Sequence, residues 1–219
     1  MYHPDEDEWR QDEAMQDFLD EQLRELTEAP VIAYLAKYGD AIQERVDRCR
    51  AESAALVKAG FNGASLARAA AGLEIAVRFF LARPLVQGAF LSDEWAQALA
   101  NRILNSRAAE DRDLLPAILR NWGIDVTKVL LHSGGQMWEA VIRDIWPARN
   151  EYVHKGADIS KDVALKALEA LETLLREVVA PIARRLRFTL EETGRWSIVL
   201  SRFDRQLNPP QEYETASPF

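Results

Sequence analysis

A single cysteine, Cys49, in a chain of 219 residues excludes an internal disulfide, and with only three scattered histidines, His3, His132 and His154, no zinc or iron cluster has the ligand spacing it needs. Cys49 sits among Asp47, Arg48 and Arg50 in a charged helical stretch and reads as a spectator thiol. The chain also lacks a long apolar run. Its most hydrophobic region, Gly72 to Leu91, is interrupted by Glu74, Arg78 and Arg83, which makes it core rather than a membrane span. Asp5, Glu6, Asp7 and Glu8 stand where an export signal needs a basic start and an apolar run, so a cytoplasmic protein without membrane attachment is expected. Missing too are a GxxxxGKS/T loop and a strand followed by GxGxxG, the glycine-rich loops that cradle nucleotide phosphates. No metal and no cofactor are expected.

What is present is a globular composition, 48% hydrophobic and 28% charged, long enough to bury one sizeable core. The formal charge of −8 argues at first against a nucleic-acid partner, because phosphate binding is driven by Lys and Arg. Its distribution removes the objection. Residues 5–28 hold eleven acids against Arg10 and Arg24, a net of −9, which leaves about +1 on the rest of the chain. The chain is divided accordingly into an acidic N-terminal helical arm over 1–29, a helical domain over 30–205 and a flexible tail over 206–219 that contains Pro209 and Pro210.

Helical periodicity dominates. Met15, Phe18, Leu19, Leu23 and Leu26 mark a first helix that Pro30 should break, and a second runs from Val31 to Lys58 with Gly60 beyond its end and Gly39-Asp40 as a possible split. Ser65 is expected to cap a helix reaching Ala82, closed by Pro84, and Ser92 to cap another reaching Asn105. Short helices follow over Asp113 to Trp122, stopped by Gly123, and from a cap at Asp125 to His132. After Ser133-Gly134-Gly135 comes Gln136 to Ile145, and then a segment that Pro147 starts or kinks and Gly156 ends. Ser160 caps what is read as the longest regular helix, with Val163, Leu165, Leu168, Leu171, Leu174, Leu175 and Val178 on its apolar face up to Pro181. Only Trp196 to Phe203 is strand-like. The fold class is all-α, a helical bundle with at most a short C-terminal strand-like segment.

The chemistry concentrates in Arg149-Asn150-Glu151-Tyr152-Val153-His154, read near a helix start. An imidazole can accept and donate a proton near neutrality, which suits His154 to general acid and base work. Arg149 offers a bidentate fork for a phosphate and for charge developing on it, and Asn150 can orient either. An Arg at this spacing before a His arises easily by chance, but requiring Asn directly after the Arg lowers the expectation to roughly 0.02 occurrences in such a chain. On a helix, Arg149 and His154 are about 140° and 7.5 Å apart, so both can act on one ligand only across a groove or a two-fold axis. A helix N-terminus beside Arg149 would add unpaired N–H groups for an anion. The plain alternative is a surface pair of Arg149 with Glu151 or another acid, with His154 simply near a helix end beside Lys155.

Other groups carry weaker signals. Glu74 and Arg78, one turn apart in an apolar helix, form an internal ion pair or support Arg149 and His154 from behind. His132 reads as a helix-end histidine without an evident partner, Trp95, Trp122, Trp138 and Trp146 as core or interface, and Arg184, Arg185 and Arg187 as a solvated basic helix end. Arg143 and Lys155 are further cations available to a nucleic acid.

The string resembles the motif of HEPN domains, helical domains of prokaryotic toxins, antiviral systems and RNA-processing enzymes, in which Arg precedes His by four to six intervening residues and is often followed by a polar residue. The gap here is four, the polar residue is Asn150, and the motif lies between an amphipathic helix and a long one. The resemblance covers Ser65 to Phe188. It implies metal-independent RNA cleavage at a homodimer interface, where two motifs form one site and the ribose 2′-OH attacks the adjacent phosphate. Arg149 and His154 would then be the catalytic pair, Asn150 the auxiliary, and an antitoxin or defence-system protein a further partner. One departure is plain: Lys155 and Gly156 follow His154, where toxins of this family that are silenced by nucleotide transfer carry a Tyr. The same fold without cleavage would be a helical RNA- or protein-binding or dimerisation module.

Overall fold

The computed structural model describes residues 4–84, 113–190 and 196–198. Helix α1 spans Pro4–Lys58 and α2 spans Asn62–Ile75, continued by a widened, π-helical stretch over Ala76–Ala82. Helix α3 is Leu114–Asn121, followed by a 3₁₀ turn at Val126–Lys128. Helix α4, Met137–Ala140, passes through a π-helical turn at Val141–Ile145 into α5, Trp146–Lys155. Helix α6, Lys161–Leu174, passes likewise through Leu175–Val179 into α7, Ala180–Arg185. A two-stranded antiparallel ribbon closes the described chain, β1 Phe188–Leu190 against β2 Trp196–Ile198, with Phe188 opposite Ile198. The molecule is an all-α bundle. The Ser92 to Asn105 helix, Trp95 and the 206–219 tail lie outside the described residues.

Pro30 does not break α1, nor do Gly39 and Asp40 divide it, so among the described residues α1 with its 55 residues is the longest helix rather than the one after Ser160. A proline inside a helix costs about 3 kcal/mol. Against that stand Val31, Tyr34, Leu35, Ile42 and Val46, all buried on one stripe, each contributing about 2 kcal/mol. Burial of these five side chains outweighs one poor residue.

Helices α1 and α2 form an antiparallel hairpin about Ala59-Gly60-Phe61, where left-handed Gly60 (φ 85°) ends α1. Ser65 does not cap α2: the helix begins at Asn62, and Ser65 is fully buried in its first turn. Its hydroxyl donates to the Ser53 carbonyl at 2.9 Å, and the Ser53 hydroxyl donates to the Ser65 carbonyl at 3.0 Å. This reciprocal exchange needs two backbones close together, and the small residues along the crossing allow it. At Gly72 a Cβ would lie 2.7 Å from Leu171 Cδ2 and 3.2 Å from Cys49 Cβ, so α1, α2 and α6 meet there at the centre of the core.

Ser160 does cap α6, its hydroxyl accepting from the Val163 N–H at 3.3 Å. The face α6 buries differs from the leucine stripe read in the sequence: Ala164, Ala167 and Ala170 are fully buried beside Leu171 and Leu174, whereas Leu165 is 42% exposed. Alanines win the inner positions because α2 packs too closely for a larger side chain. Gly123, left-handed at φ 74°, ends α3 as expected. Asp125 accepts from the Thr127 N–H, but the turn it caps ends at Lys128 rather than at His132.

Candidate functional site

Met137 to Lys155 is one continuous helical run, and this relocates the motif. Met137, Val141 and Ile145 are fully buried, and Trp138 meets Trp146 edge to face with centroids 5.8 Å apart, so the run is pinned to the core along its length. Pro147 stands in the first turn of α5, as expected, but the backbone enters α5 already helical, from the π-helical turn at Val141–Ile145, and Trp146 donates to the Val141 carbonyl five positions back. Left-handed Gly156 (φ 67°) ends the helix with its N–H on the Tyr152 carbonyl at 3.0 Å. Arg149 to His154 therefore occupy the C-terminal turns of a long helix, not a helix start. The backbone groups left over at that end are carbonyls, which repel an anion. Any grip on a phosphate must come from side chains.

Arg149 is half-buried, and its Nη1 donates to Asn150 Oδ1 at 3.0 Å, leaving most of the five guanidinium N–H groups for a ligand. It does not pair with Glu151, whose carboxylate takes Lys155 at 2.9 Å. Asn150 and His154 are both exposed and four positions apart, which stacks them on one helix face. The bond to Asn150 thus draws the guanidinium from the helix flank toward the face that carries the imidazole. Lys155 and Arg143 are exposed cations held only by surface pairs, Arg143 with Glu139 at 2.9 Å, and such pairs contribute at most about 1 kcal/mol. Both remain available to an incoming polyanion.

Glu74 and Arg78 form the internal ion pair, 3.1 Å apart with Arg78 the more buried partner. Among the described residues Glu74 makes no hydrogen bond to Arg149 or His154, so it stands apart from the motif. Cys49 is buried and burial pushes its thiol up, against the partial pull of Arg68, as befits a spectator. Trp138 and Trp146 belong to the core as expected. In the basic cluster, Arg185 is committed to structure: it donates to the Trp122 carbonyl at 2.9 Å, lies over the Trp122 ring and faces Glu28 at 3.8 Å.

One participant has no signal in the sequence. Glu169 on α6 accepts from the Ser133 N–H at 2.8 Å and holds the turn that carries His132. Burial raises its carboxyl, but hydrogen bonds from the Ser133 hydroxyl and the Ser133 and His132 N–H groups outweigh this and leave it below the usual glutamate range. The turn is a narrow hairpin in which Leu130 bridges Gln136 and both Gly134 (φ 97°) and Gly135 (φ 88°) are left-handed, a geometry for chain reversal rather than phosphate binding.

Among the described residues no group of three or more His, Cys, Asp or Glu side chains is placed to hold a metal ion, and no helix is long and apolar enough to cross a membrane. No family model, curated protein or solved structure matches the chain.

Proposed function

We propose that the protein is a HEPN-like endoribonuclease that cleaves RNA without a metal, the ribose 2′-OH attacking the adjacent phosphate. The observation that carries the reading is the linked trio on α5: Arg149 bonded to Asn150, and His154 one turn further along the Asn150 face. In this reading His154 takes the 2′-OH proton and returns a proton to the departing 5′-oxygen. Arg149 neutralises the phosphate as charge builds on it, and Asn150 keeps the guanidinium turned toward the imidazole. Lys155 and Arg143 hold flanking phosphates, while Glu74 and Arg78 serve the helix beneath. The two principal side chains leave the helix about 140° apart, so a second copy across a two-fold axis supplies the complementary pair. The setting that suits such an enzyme is the cytoplasm, as the toxic or effector component of a bacterial defence system restrained by a partner protein.

The test is RNA cleavage by wild-type protein, His154→Ala and Arg149→Ala, with circular dichroism and sedimentation as controls for fold and dimer. Wild type yields 2′,3′-cyclic phosphate and 5′-OH ends and keeps its activity in EDTA. Each substitution lowers the rate by at least about 10²-fold. Retained cleavage by His154→Ala overturns the reading. Absence of cleavage in wild type, together with RNA binding that Arg149→Ala weakens, identifies a binding module instead.

A further inference from the structure

Gly63 lies in the first turn of α2, where an ordinary helical backbone would tolerate any side chain. It is glycine because of what stands above it: a Cβ at this position would come within 2.1 Å of Tyr152 Cε2, 2.5 Å of Cδ2 and 2.7 Å of Cζ. The half-buried Tyr152 ring therefore rests directly on the α2 backbone. Tyr152 occupies the inward side of α5, three residues after Arg149 and two before His154.

We infer that Gly63 and Tyr152 are positioning residues that set the height of α5 above α2, and through it the placement of Arg149 and His154; this rests on the proposed function. Both elements at the contact are fixed. Two residues beyond Gly63, Ser65 is locked to Ser53 by reciprocal hydrogen bonds, so the α2 end cannot retreat. Upstream of Tyr152, Trp146 is held against Trp138 and Ile145 is fully buried, so α5 responds to a push by tilting its free C-terminal turn, which carries His154. Catalytic groups displaced by about 1 Å lose about 10²-fold in rate, so a methyl group at Gly63 acts on chemistry without touching substrate.

The test combines cleavage rate with the imidazole ¹H–¹³C spectrum. The chain has three histidines, so the His154 signal is assigned by comparison with His154→Ala. Gly63→Ala is expected to shift that signal and to lower kcat by about tenfold or more while KM changes little. Tyr152→Ala, which removes the ring without adding a clash, shifts the signal as well and serves if Gly63→Ala does not fold. Tyr152→Phe keeps the ring and the wild-type signal. In the Tyr152→Ala background, Gly63→Ala adds no further effect, because the two residues act through one contact. Should the Tyr152 ring merely swing to another rotamer, Gly63→Ala leaves the His154 signal and the rate as in wild type, and the inference is overturned. Additive effects of the two substitutions overturn it too. If wild-type protein cleaves no RNA, the proposed function fails, and the His154 signal still decides whether Gly63 and Tyr152 position the helix.

Discussion

At the scale of single residues, what decides each role is the competition for partners. Arg149 and Lys155 are both candidates for Glu151, and the carboxylate goes to the lysine four positions on, the favoured helical spacing. Arg149 is left to its neighbour Asn150, and the trio exists because of that outcome. Glu169 shows the same logic applied to a turn. Its carboxyl lies below the usual range in the folded protein, so the stability it contributes is present above the ordinary glutamate pKa and lost as pH falls through the lowered folded value. Glu169→Gln should destabilise the protein by about 1 kcal/mol at pH 7, with the difference shrinking as the solution is acidified below the ordinary glutamate range, as followed by thermal melts. The residues of the motif could be picked from the sequence because their chemistry is unusual together. Glu169 could not, since its partner is a backbone N–H 36 positions away and a backbone group has no signature in the sequence.

At the scale of helices, closeness of approach is the organising variable. The three-helix contact at Gly72 leaves no room for a methyl group, so Gly72→Ala should cost about 1–3 kcal/mol by overpacking and lower the melting temperature by roughly 2–4 °C per kcal/mol. Leu171→Val in the same background should recover part of the loss, and full additivity of the two changes would argue against the contact. Periodicity located most helices and several ends correctly, Gly60, Gly123, Gly156 and the Ser160 cap among them, because those signals act within a few residues. It misread Ser65 as a cap and Leu165 as core. A buried hydroxyl pair across two helices and an alanine face against a close neighbour are facts of tertiary packing, invisible in one helix's own pattern. The continuity of α5 with the helical run before it was missed for a related reason: a proline in a first turn ends the preceding helix only where that helix cannot widen to continue through it.

At the scale of the molecule, the fold class was readable because nearly every described segment is helical, and among the described residues strands are confined to one short ribbon. The continuity of α1 was not, since the local rule at Pro30 is outweighed by the burial of Val31, Tyr34 and Leu35, which only the folded molecule shows. The charge map bears on the proposed RNA partner at this same scale. Asp5→Asn, Glu6→Gln, Asp7→Asn and Glu8→Gln together should tighten RNA binding severalfold in low salt, and the gain should shrink at about 0.5 M salt, where screening confines fields to a few ångströms. Fluorescence anisotropy with a short labelled RNA across a salt series measures it, and an unchanged affinity in low salt would show that the arm's charge does not reach the bound strand. One recurring feature links the scales. Three widened turns, Ala76–Ala82, Val141–Ile145 and Leu175–Val179, each end two residues before a proline, Pro84, Pro147 and Pro181. A widened turn is how a helix absorbs one inserted residue, and a proline just beyond it favours keeping that residue. In evolutionary terms the insertion and the proline should travel together. Relatives lacking Pro147 should show a one-residue gap upstream of the Arg149 position, and an alignment that forbids gaps inside helices would misplace the motif by a third of a turn.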